Sequence, residues 1–151
     1  MLQRSRTPQI LTKQGFTVIE VIVVLMLLGI MSAVVVGRLL DTSADLAAES
    51  EIVKTHLRFV QSRAMNSAVS WGIRFDGGSY TMLTDGLTSS GFLPNESSAT
   101  RSLAVGTVAA STNPVIFDQW GSPGNADITV TVSDSSGSKS FVIIRNTGGI
   151  L

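Results

Sequence analysis

The chain has 151 residues, of which 15% are charged, with one histidine, no cysteine and a formal net charge of zero at pH 7. This length suffices for one modest domain together with an anchoring segment. The lack of cysteine excludes a disulfide framework and thiol chemistry, and with a single histidine it excludes a Cys–His zinc site. The mean hydropathy of +0.34 is high for a soluble domain, and most of it comes from one block, Val21–Val36.

The charges are distributed unevenly about this apolar block. Arg4, Arg6 and Lys13 precede it without any acidic residue, whereas seven basic and ten acidic residues follow Arg38. A basic flank predicts that the N-terminal end stays in the cytoplasm. The mildly acidic remainder argues against nucleic-acid binding by bulk electrostatics.

The apolar block is predicted to be a transmembrane helix. No charge occurs over the 17 residues Val21–Gly37, and with Phe16–Ile19 the stretch approaches the ~20 residues that a spanning helix needs. Three interpretations fit this segment: an ordinary secretory signal cut near Ser32–Ala33, a plain signal anchor, and a specialised export signal. The first two must explain Glu20, because an ionised carboxylate in a membrane costs at least ~2.5 kcal/mol and usually has a partner. Alternatively, Glu20 lies at the membrane interface by chance and has no partner.

The residues from Lys13 to Glu20, KQGFTVIE, point to the third interpretation. A basic leader ends in glycine, and phenylalanine, threonine, two apolar residues, glutamate and the hydrophobic helix follow. In residue types, order and position, this string resembles the prepilin signal of type IV pilins and type II secretion pseudopilins.

The resemblance implies a role for each residue of the signal. A membrane aspartyl prepilin peptidase would cut between Gly15 and Phe16, and Phe16 would become the new, N-methylated terminus. Glu20 would pair with the terminal amine of a neighbouring subunit during assembly, since opposite charges attract strongly at low dielectric constant. The positive charges of the leader would be Arg4, Arg6 and Lys13.

Two features depart from the family pattern. Gln14 separates Lys13 from Gly15, whereas many members carry Lys or Arg directly before the glycine, so a mild effect on cleavage efficiency is expected. Many major pilins have a proline inside the hydrophobic helix, whose place is taken here by Gly37, with Gly29 earlier. Glycine weakens a helix by ~1 kcal/mol without removing a backbone hydrogen-bond donor. The two glycines are therefore consistent either with local melting of the helix or with close packing against another helix.

A second helical pattern follows the apolar block. Leu39–Val69 contains no proline or glycine, and its apolar residues recur in steps of three, four and seven, as in an amphipathic helix. We expect one continuous helix from Phe16 to about Ala68. Its stripe would pack on its own domain or form a partner-helix site. The stripe comprises Leu46, Val53, Leu57, Val60, Ala64 and Ala68, and the opposite face carries Asp45, Glu49, Glu51, Lys54, Arg58 and Arg63.

Beyond this helix, apolar residues alternate at every second position, as in half-buried strands. Trp71–Phe75, a turn at Asp76–Ser79 and Tyr80–Thr84 predict a β-hairpin. The polar stretch Asp85–Arg101 is long for a compact domain, and is either a surface excursion or a functional loop. Further strands are predicted at Leu103–Val108, Val115–Phe117, Ile128–Val132 and Phe141–Ile144, the last being central.

We therefore predict an α+β fold in which a long N-terminal helix packs on about six short antiparallel strands. The segments would be a leader (residues 1–15), a transmembrane helix (16–37), its amphipathic continuation (38–69) and a β-rich periplasmic domain (70–151). The order of helix, early hairpin, FDQWGSPG turn and final strand running into Gly-Gly resembles the H-type minor pseudopilins and the FimT-like minor pilins.

No pattern indicates catalysis, a cofactor or a metal site, and no nucleotide-binding loop or nucleophile elbow is present. His56 is assigned a packing or solvated role on its helix. Major pseudopilins carry a calcium site near the C-terminus, but the last 16 residues here contain no Asp or Glu. DNA-binding FimT-like proteins have an arginine-bearing tail that Gly148–Leu151 lacks, so nucleic-acid binding is disfavoured. Trp71 and Trp120 are expected in the core rather than stacked on a ligand.

The leading hypothesis is a minor pseudopilin of a type II secretion system, near the tip of a pseudopilus anchored in the bacterial inner membrane. Its partners would be the prepilin peptidase, other pilin-like subunits contacted through the N-terminal helix, and the assembly platform. A minor type IV pilin in pilus assembly, motility or DNA uptake is the alternative, which the acidic domain and the missing arginine tail disfavour. A periplasmic binding or hydrolytic protein with an ordinary signal is a third hypothesis.

Overall fold

The structure, a computed structural model, describes residues 15–39 and 43–151. The chain divides into two compact units, Met1–Leu40 and Asp41–Leu151. The first contains helix α1 (Val18–Leu39), and the second begins with helix α2 (Ser43–Met65). The predicted continuity of these helices falls on residues 40–42, outside the described residues, and stays a prediction.

Helix α2 buries five of the six residues of the predicted apolar stripe against its own domain, which confirms packing on the domain rather than on a partner helix. Ala68 lies beyond the helix and is exposed. The helix contacts strands of both sheets described below. The helix ends three residues before the expected Ala68, because the N–H groups of Asn66 and Ser67 bond to the carbonyls of Arg63 and Ala64 and close the last turn. The buried stripe comprises Leu46, Val53, Leu57, Val60 and Ala64.

Within the described residues, eight strands follow α2 and form two antiparallel sheets. The first sheet has the order β3-β2-β1-β6, with β4 also paired to β2, and the second has the order β5-β7-β8. The strands are β1 (Trp71–Phe75), β2 (Ser79–Thr84), β3 (Leu87–Thr88), β4 (Thr100–Ser102), β5 (Thr107–Ala110), β6 (Val115–Phe117), β7 (Ile128–Asp134) and β8 (Gly137–Ile143).

The early hairpin forms as predicted, with Ile73 opposite Met82 and Phe75 opposite Tyr80. Gly72 lets β6 approach β1, because a Cβ at this position would overlap the carbonyl oxygen of Val115. The excursion over residues 85–101 is not wholly irregular: β3 lies within it, and β4 begins at its end.

Two strand predictions are wrong in position. The strand expected at Leu103–Val108 is β5, which starts later, beyond a turn in which Gly106 has φ +73°. The strand expected to be central, β8, lies at the edge of its sheet, and β7 lies between β5 and β8. The outer edge of β8 instead meets the C-terminal residues, since the Leu151 N–H bonds to the Val142 carbonyl at 3.0 Å.

The two tryptophans differ in burial. Trp71 is half-buried and packs against the core, as predicted, and its indole N–H donates to the Ser67 hydroxyl at 2.8 Å. Trp120 is 76% exposed, so the prediction that it lies in the core is wrong. It lies in a tight turn where the Asp118 carboxylate accepts bonds from the N–H groups of Trp120 and Ser122, both at 2.9 Å.

Candidate functional site

The predicted cleavage site lies immediately before α1. Gly15, Phe16 and Thr17 are exposed and non-helical, and the helix begins at Val18. The Thr17 hydroxyl accepts a bond from the Glu20 N–H at 3.3 Å, and the Thr17 carbonyl accepts from the same group at 3.1 Å. Threonine at the N-cap with glutamate three positions later is the residue pattern of a capping box, and the bond from the Glu20 N–H to the Thr17 hydroxyl is its N-cap half. The motif therefore fixes where the helix starts.

Glu20 lies in the first turn of α1. A carboxylate there interacts favourably with the helix dipole, by about 0.3–1 kcal/mol at an exposed site. This local role accounts for an acid at the head of an apolar run without any partner subunit. A role in assembly would be additional, and it requires a test that separates charge from capping.

Apart from Glu20 and Ser32, the side chains described on α1 are apolar around the whole helix. Phe16, just before it, is 83% exposed, and Ser32 bonds its hydroxyl to the Leu28 carbonyl at 2.8 Å. A helix that is apolar all round is buried in its functional setting. The exposed residues, each at least 45% accessible, are Val18, Ile19, Val21, Ile22, Val23, Val24, Leu25, Met26, Leu27, Leu28, Ile30 and Met31.

Among the residues that the structure describes, no helix is both long enough and apolar enough to cross a membrane. Gly29 and Gly37, considered as sites of melting, both lie within α1. The leader charges Arg4, Arg6 and Lys13 lie outside the described residues.

A second cluster, not anticipated from the sequence, joins α2 to the excursion. Arg101 of β4 binds Glu49 of α2 through both guanidinium ends, with Nη2 at 3.2 Å from Oε2, and its Nε donates to Glu96 at 2.8 Å. The side chains of Arg101 and Glu49 are 12% and 4% exposed. Glu49 was predicted on the polar face of the helix. It is buried instead because Arg101, 52 residues later, compensates its charge.

His56 completes this cluster and is 2% exposed. Its Nδ1 lies 2.7 Å from the Tyr80 hydroxyl, and its Nε2 lies 3.0 Å from the Pro94 carbonyl. A carbonyl only accepts, so Nε2 carries the proton, and Nδ1 of the neutral ring accepts from Tyr80. The packing role predicted for His56 is therefore specific, since both ring nitrogens are used.

Burial sets the protonation of this cluster. It lowers the pKa of His56, with the nearby Arg101 acting in the same direction. It raises the pKa of Tyr80 to about 12, against an opposing effect of Arg101. The hydrogen bonds that Arg101 donates to Glu49 raise the pKa of Arg101, which stays charged. The cluster thus holds a neutral histidine and a neutral tyrosine beside one cation and two carboxylates.

This arrangement is suited to holding the excursion in place rather than to chemistry. Arg101 is engaged by two carboxylates, and His56 by two fixed partners, so neither is poised toward a reacting group. Within residues 15–39 and 43–151, no group of three or more His, Asp or Glu side chains could hold a metal ion.

Comparison with known families gives two matches. Residues 11–36 match the prokaryotic N-terminal methylation motif, which implies processing by a prepilin peptidase. Residues 49–149, more than half of the chain, match the family described as type II transport protein GspH. A comparison with curated proteins gives no match.

Among solved structures, the type IV minor pilin FimU of Pseudomonas aeruginosa strain PAO1 is similar. It is 15% identical over 72% of this chain and 88% of that chain, with a TM-score of 0.54. A second crystal form of FimU covers 70% of this chain and 89% of its own at 17% identity, with a TM-score of 0.47. At such identities the first likeness shows the fold alone, and it confirms the predicted pilin-like α+β class. By its family match the chain belongs to the GspH family and is a minor pseudopilin of type II secretion, a structural protein rather than an enzyme.

Proposed function

We propose that this pseudopilin is cut between Gly15 and Phe16, remains anchored in the inner membrane by the apolar segment 16–37, and enters a periplasmic pseudopilus through that segment. The observation that carries the proposal is the exposed, all-round apolar surface of α1, directly preceded by a short exposed segment. Such a surface needs lipid or other helices to cover it.

The segment before α1 suits cleavage. Gly15 and Phe16 are exposed and lie outside the helix, so the peptide bond between them has no helical hydrogen bonds to lose when a protease binds it in extended form. The capped helix start at Thr17 keeps this bond at a fixed distance from the apolar block. The basic residues Arg4, Arg6 and Lys13 would hold the leader on the cytoplasmic side.

Orientation follows from the same charges. The uncharged run Val21–Gly37 is long enough, with Phe16–Ile19, to approach the ~20 residues of a spanning helix. With the basic leader inside, the domain that follows α1 would be periplasmic. The chain would then cross the inner membrane once.

The proposed partner of Glu20 is the N-methylated amine of Phe16 in a neighbouring subunit. Cleavage creates one cation per chain, four residues before the one acid of the apolar segment. In a filament core of low dielectric constant the two charges would stabilise each other and offset their desolvation. One pair per junction would also set the axial register of adjacent subunits.

Matched substitutions separate this role from helix capping. Glu20→Gln keeps the side-chain shape and remains acceptable at the third helix position of a capping box, but removes the charge. Thr17→Val keeps the charge and removes the cap, which costs about 1 kcal/mol. We expect Glu20→Gln to be processed normally, as judged by intact mass, yet to lose pseudopilus assembly and secretion, while Thr17→Val retains both. Normal secretion by Glu20→Gln would leave Glu20 with only its local role at the start of α1.

Deletion in the native host tests the secretion function itself, scored for secreted proteins and surface pili together. Loss of secretion with pili intact would support the proposal. Loss of pili, twitching or DNA uptake with intact secretion would overturn it in favour of a minor type IV pilin, the function that FimU carries in its name.

A further inference from the structure

A cavity of about 230 Å³ lies between α2 and the excursion, beside the buried cluster that contains His56 and Arg101. Its volume is below the ~300–1,000 Å³ of pockets that hold drug-sized ligands, so it suits a single side chain or a ligand of that size. Part of the lining comes from α2 and part from the middle of the excursion. The lining comprises Ile52, Thr55, His56, Pro94, Asn95, Glu96 and Arg101.

The cavity can be reached from outside the domain. Thr55 and Asn95 are exposed, and the Glu96 side chain is 31% exposed. Ile52 and Pro94 are half-buried, and they give the wall an apolar part against which methylene groups can pack. A ligand with an apolar stem and a polar end therefore matches this lining.

The polar part of the lining is left with acceptors rather than donors. His56 donates through Nε2 to the Pro94 carbonyl at 3.0 Å, and the Thr55 hydroxyl donates at 2.9 Å to a carbonyl of its own helix. Within the described residues, only one carboxylate oxygen of Glu96 has a hydrogen-bond partner. The Asn95 side chain, which can accept through its amide oxygen, has none there. The polar end of a ligand should therefore donate.

The cavity also carries an excess of negative charge. Arg101 lines it, but the guanidinium bonds go to Glu49 and, from Nε at 2.8 Å, to Glu96. One cation therefore faces two carboxylates. Glu49 is buried at 4% exposure, whereas Glu96 reaches the cavity. An anion would be repelled by the excess carboxylate, so a cation is favoured.

We propose that this cavity is a binding site for a primary alkylammonium group, the chemistry of a lysine side chain. An ammonium has three donors and no acceptor, which matches the acceptors at Glu96, Asn95 and Thr55. Its alkyl stem would lie along Ile52 and Pro94. A lysine of a partner protein and a free diamine both carry this group. The site lies in the domain, so it does not depend on the proposed N-terminal cleavage.

Backbone amide NMR of the full chain in a non-ionic detergent tests the proposal, with Nα-acetyl-lysine methylamide as the probe. We expect saturable shifts at Asn95 and Glu96, while amides shared by β7 and β8 stay unchanged. Nα-acetyl-norleucine methylamide keeps the stem without the ammonium, and should bind at least about tenfold more weakly because it forms no charge-assisted bonds. Raising the ionic strength from ~0.01 M to ~0.15 M shortens the Debye length from ~30 Å to ~8 Å, and should weaken binding of the lysine probe only.

Three variants connect binding to the cavity. Glu96→Gln removes the excess charge and should weaken binding of the lysine probe about tenfold. Asp76→Asn is the matched control, because Asp76 also pairs with an arginine Nε, that of Arg74, but does not line the cavity; it should leave binding unchanged. Thr55→Leu narrows the cavity without changing its charge, and should weaken binding too. Should Glu96→Gln not fold, Thr55→Leu decides, since its position on the helix is exposed.

The diamine putrescine, titrated in the same way, separates the two sources of the ligand. Tighter binding of the blocked lysine, whose backbone must fit at the mouth of the cavity, assigns the site to a side chain of a partner protein. Tighter binding of putrescine assigns it to a free amine. The proposal is overturned if neither probe shifts Asn95 and Glu96, if the norleucine analogue binds as well as the lysine probe, or if Glu96→Gln and Asp76→Asn bind alike.

Discussion

Replacing Arg101 with methionine should destabilise the domain strongly, because it leaves Glu49 as a buried charge without a counter-ion. Methionine retains much of the aliphatic stem, so the loss is mainly electrostatic. The Glu49 side chain is 4% exposed and cannot rehydrate without local unfolding. Removing one partner of a buried ion pair costs about 3–5 kcal/mol, a large fraction of the 5–15 kcal/mol that typically separates folded from unfolded domains.

The assay is equilibrium urea unfolding of a fragment spanning residues 43–151, since the described core cluster draws only on residues between Leu46 and Ile150. Fluorescence of the half-buried Trp71 follows the transition, because Trp120 is largely exposed before unfolding. With a slope of ~2 kcal/mol per molar urea, a loss of ~4 kcal/mol lowers the midpoint by about 2 M.

Two further variants make the reasoning refutable. Arg74→Met removes an exposed ion pair, since Arg74 and Asp76 are each 46% exposed, and should cost less than about 1 kcal/mol. Glu49→Leu combined with Arg101→Met removes both buried charges and should recover most of the stability. If Arg101→Met costs no more than Arg74→Met, or if the double variant is as unstable as Arg101→Met, the pair is not a compensated buried charge.

Two other predictions concern the packing of the C-terminal turn and the burial of Tyr80. Gly148→Ala should cost about 1–3 kcal/mol more stability than Gly77→Ala in the same unfolding assay. Both glycines have φ near +70°, so the backbone strain is shared, but only at Gly148 would a Cβ overlap the Gly121 carbonyl and the Gln61 amide. Equal costs would contradict this packing. Tyr80 is the sole tyrosine, and burial raises its pKa to about 12, so tyrosinate absorbance should titrate well above the ordinary ~10. Stability should hold below pH ~10 and decline above it, and a midpoint near 10 in the folded domain would disprove the burial argument.

The N-terminal signal was predictable because its chemistry is contiguous. The proposed cleavage and methylation, and the observed cap, involve neighbours along the chain from Lys13 to Glu20, so residue order alone carries the information. The apolar stripe of α2 and the first hairpin were predictable for a related reason, since helical and strand periodicities are local. For α2 and the first hairpin, the predicted and observed elements agree in type and nearly in their boundaries.

The Arg101 cluster was missed because it depends on contacts between distant residues. One signal was present: Glu49 and His56 are spaced by seven residues and lie on the same helical face as Val53 and Val60. Polar residues within an apolar stripe are buried polar groups, and these need partners. The sequence does not reveal which of the later residues supplies them, because Arg101 is positioned by pairing of β4 with β2.

The position of β8 illustrates a different limit. The predicted strand Phe141–Ile144, which overlaps the C-terminal half of β8, is strongly apolar, and apolar strands are expected at the centre of a sheet. Only Phe141 and Ile143 of β8 are buried, whereas its first four residues are exposed. Hydrophobicity identified a strand that packs on α2, but it did not identify the strand's neighbours, which depend on the order of pairing.

Two parts of the chain therefore carry different functional information. The predicted assembly chemistry, at Phe16 and Glu20, lies in a short contiguous motif that any subunit with the same signal would share, so it cannot by itself distinguish one filament system from another. Distinguishing features must lie in the domain, where the excursion, fixed by Glu49, His56 and Arg101, presents Leu87 and Phe92 at 75% and 63% exposure. A variant such as Arg101→Met that is processed normally but fails in secretion would therefore place the specific function in the domain. Failure of processing in the same variant would instead show that the domain must fold before the signal is cut.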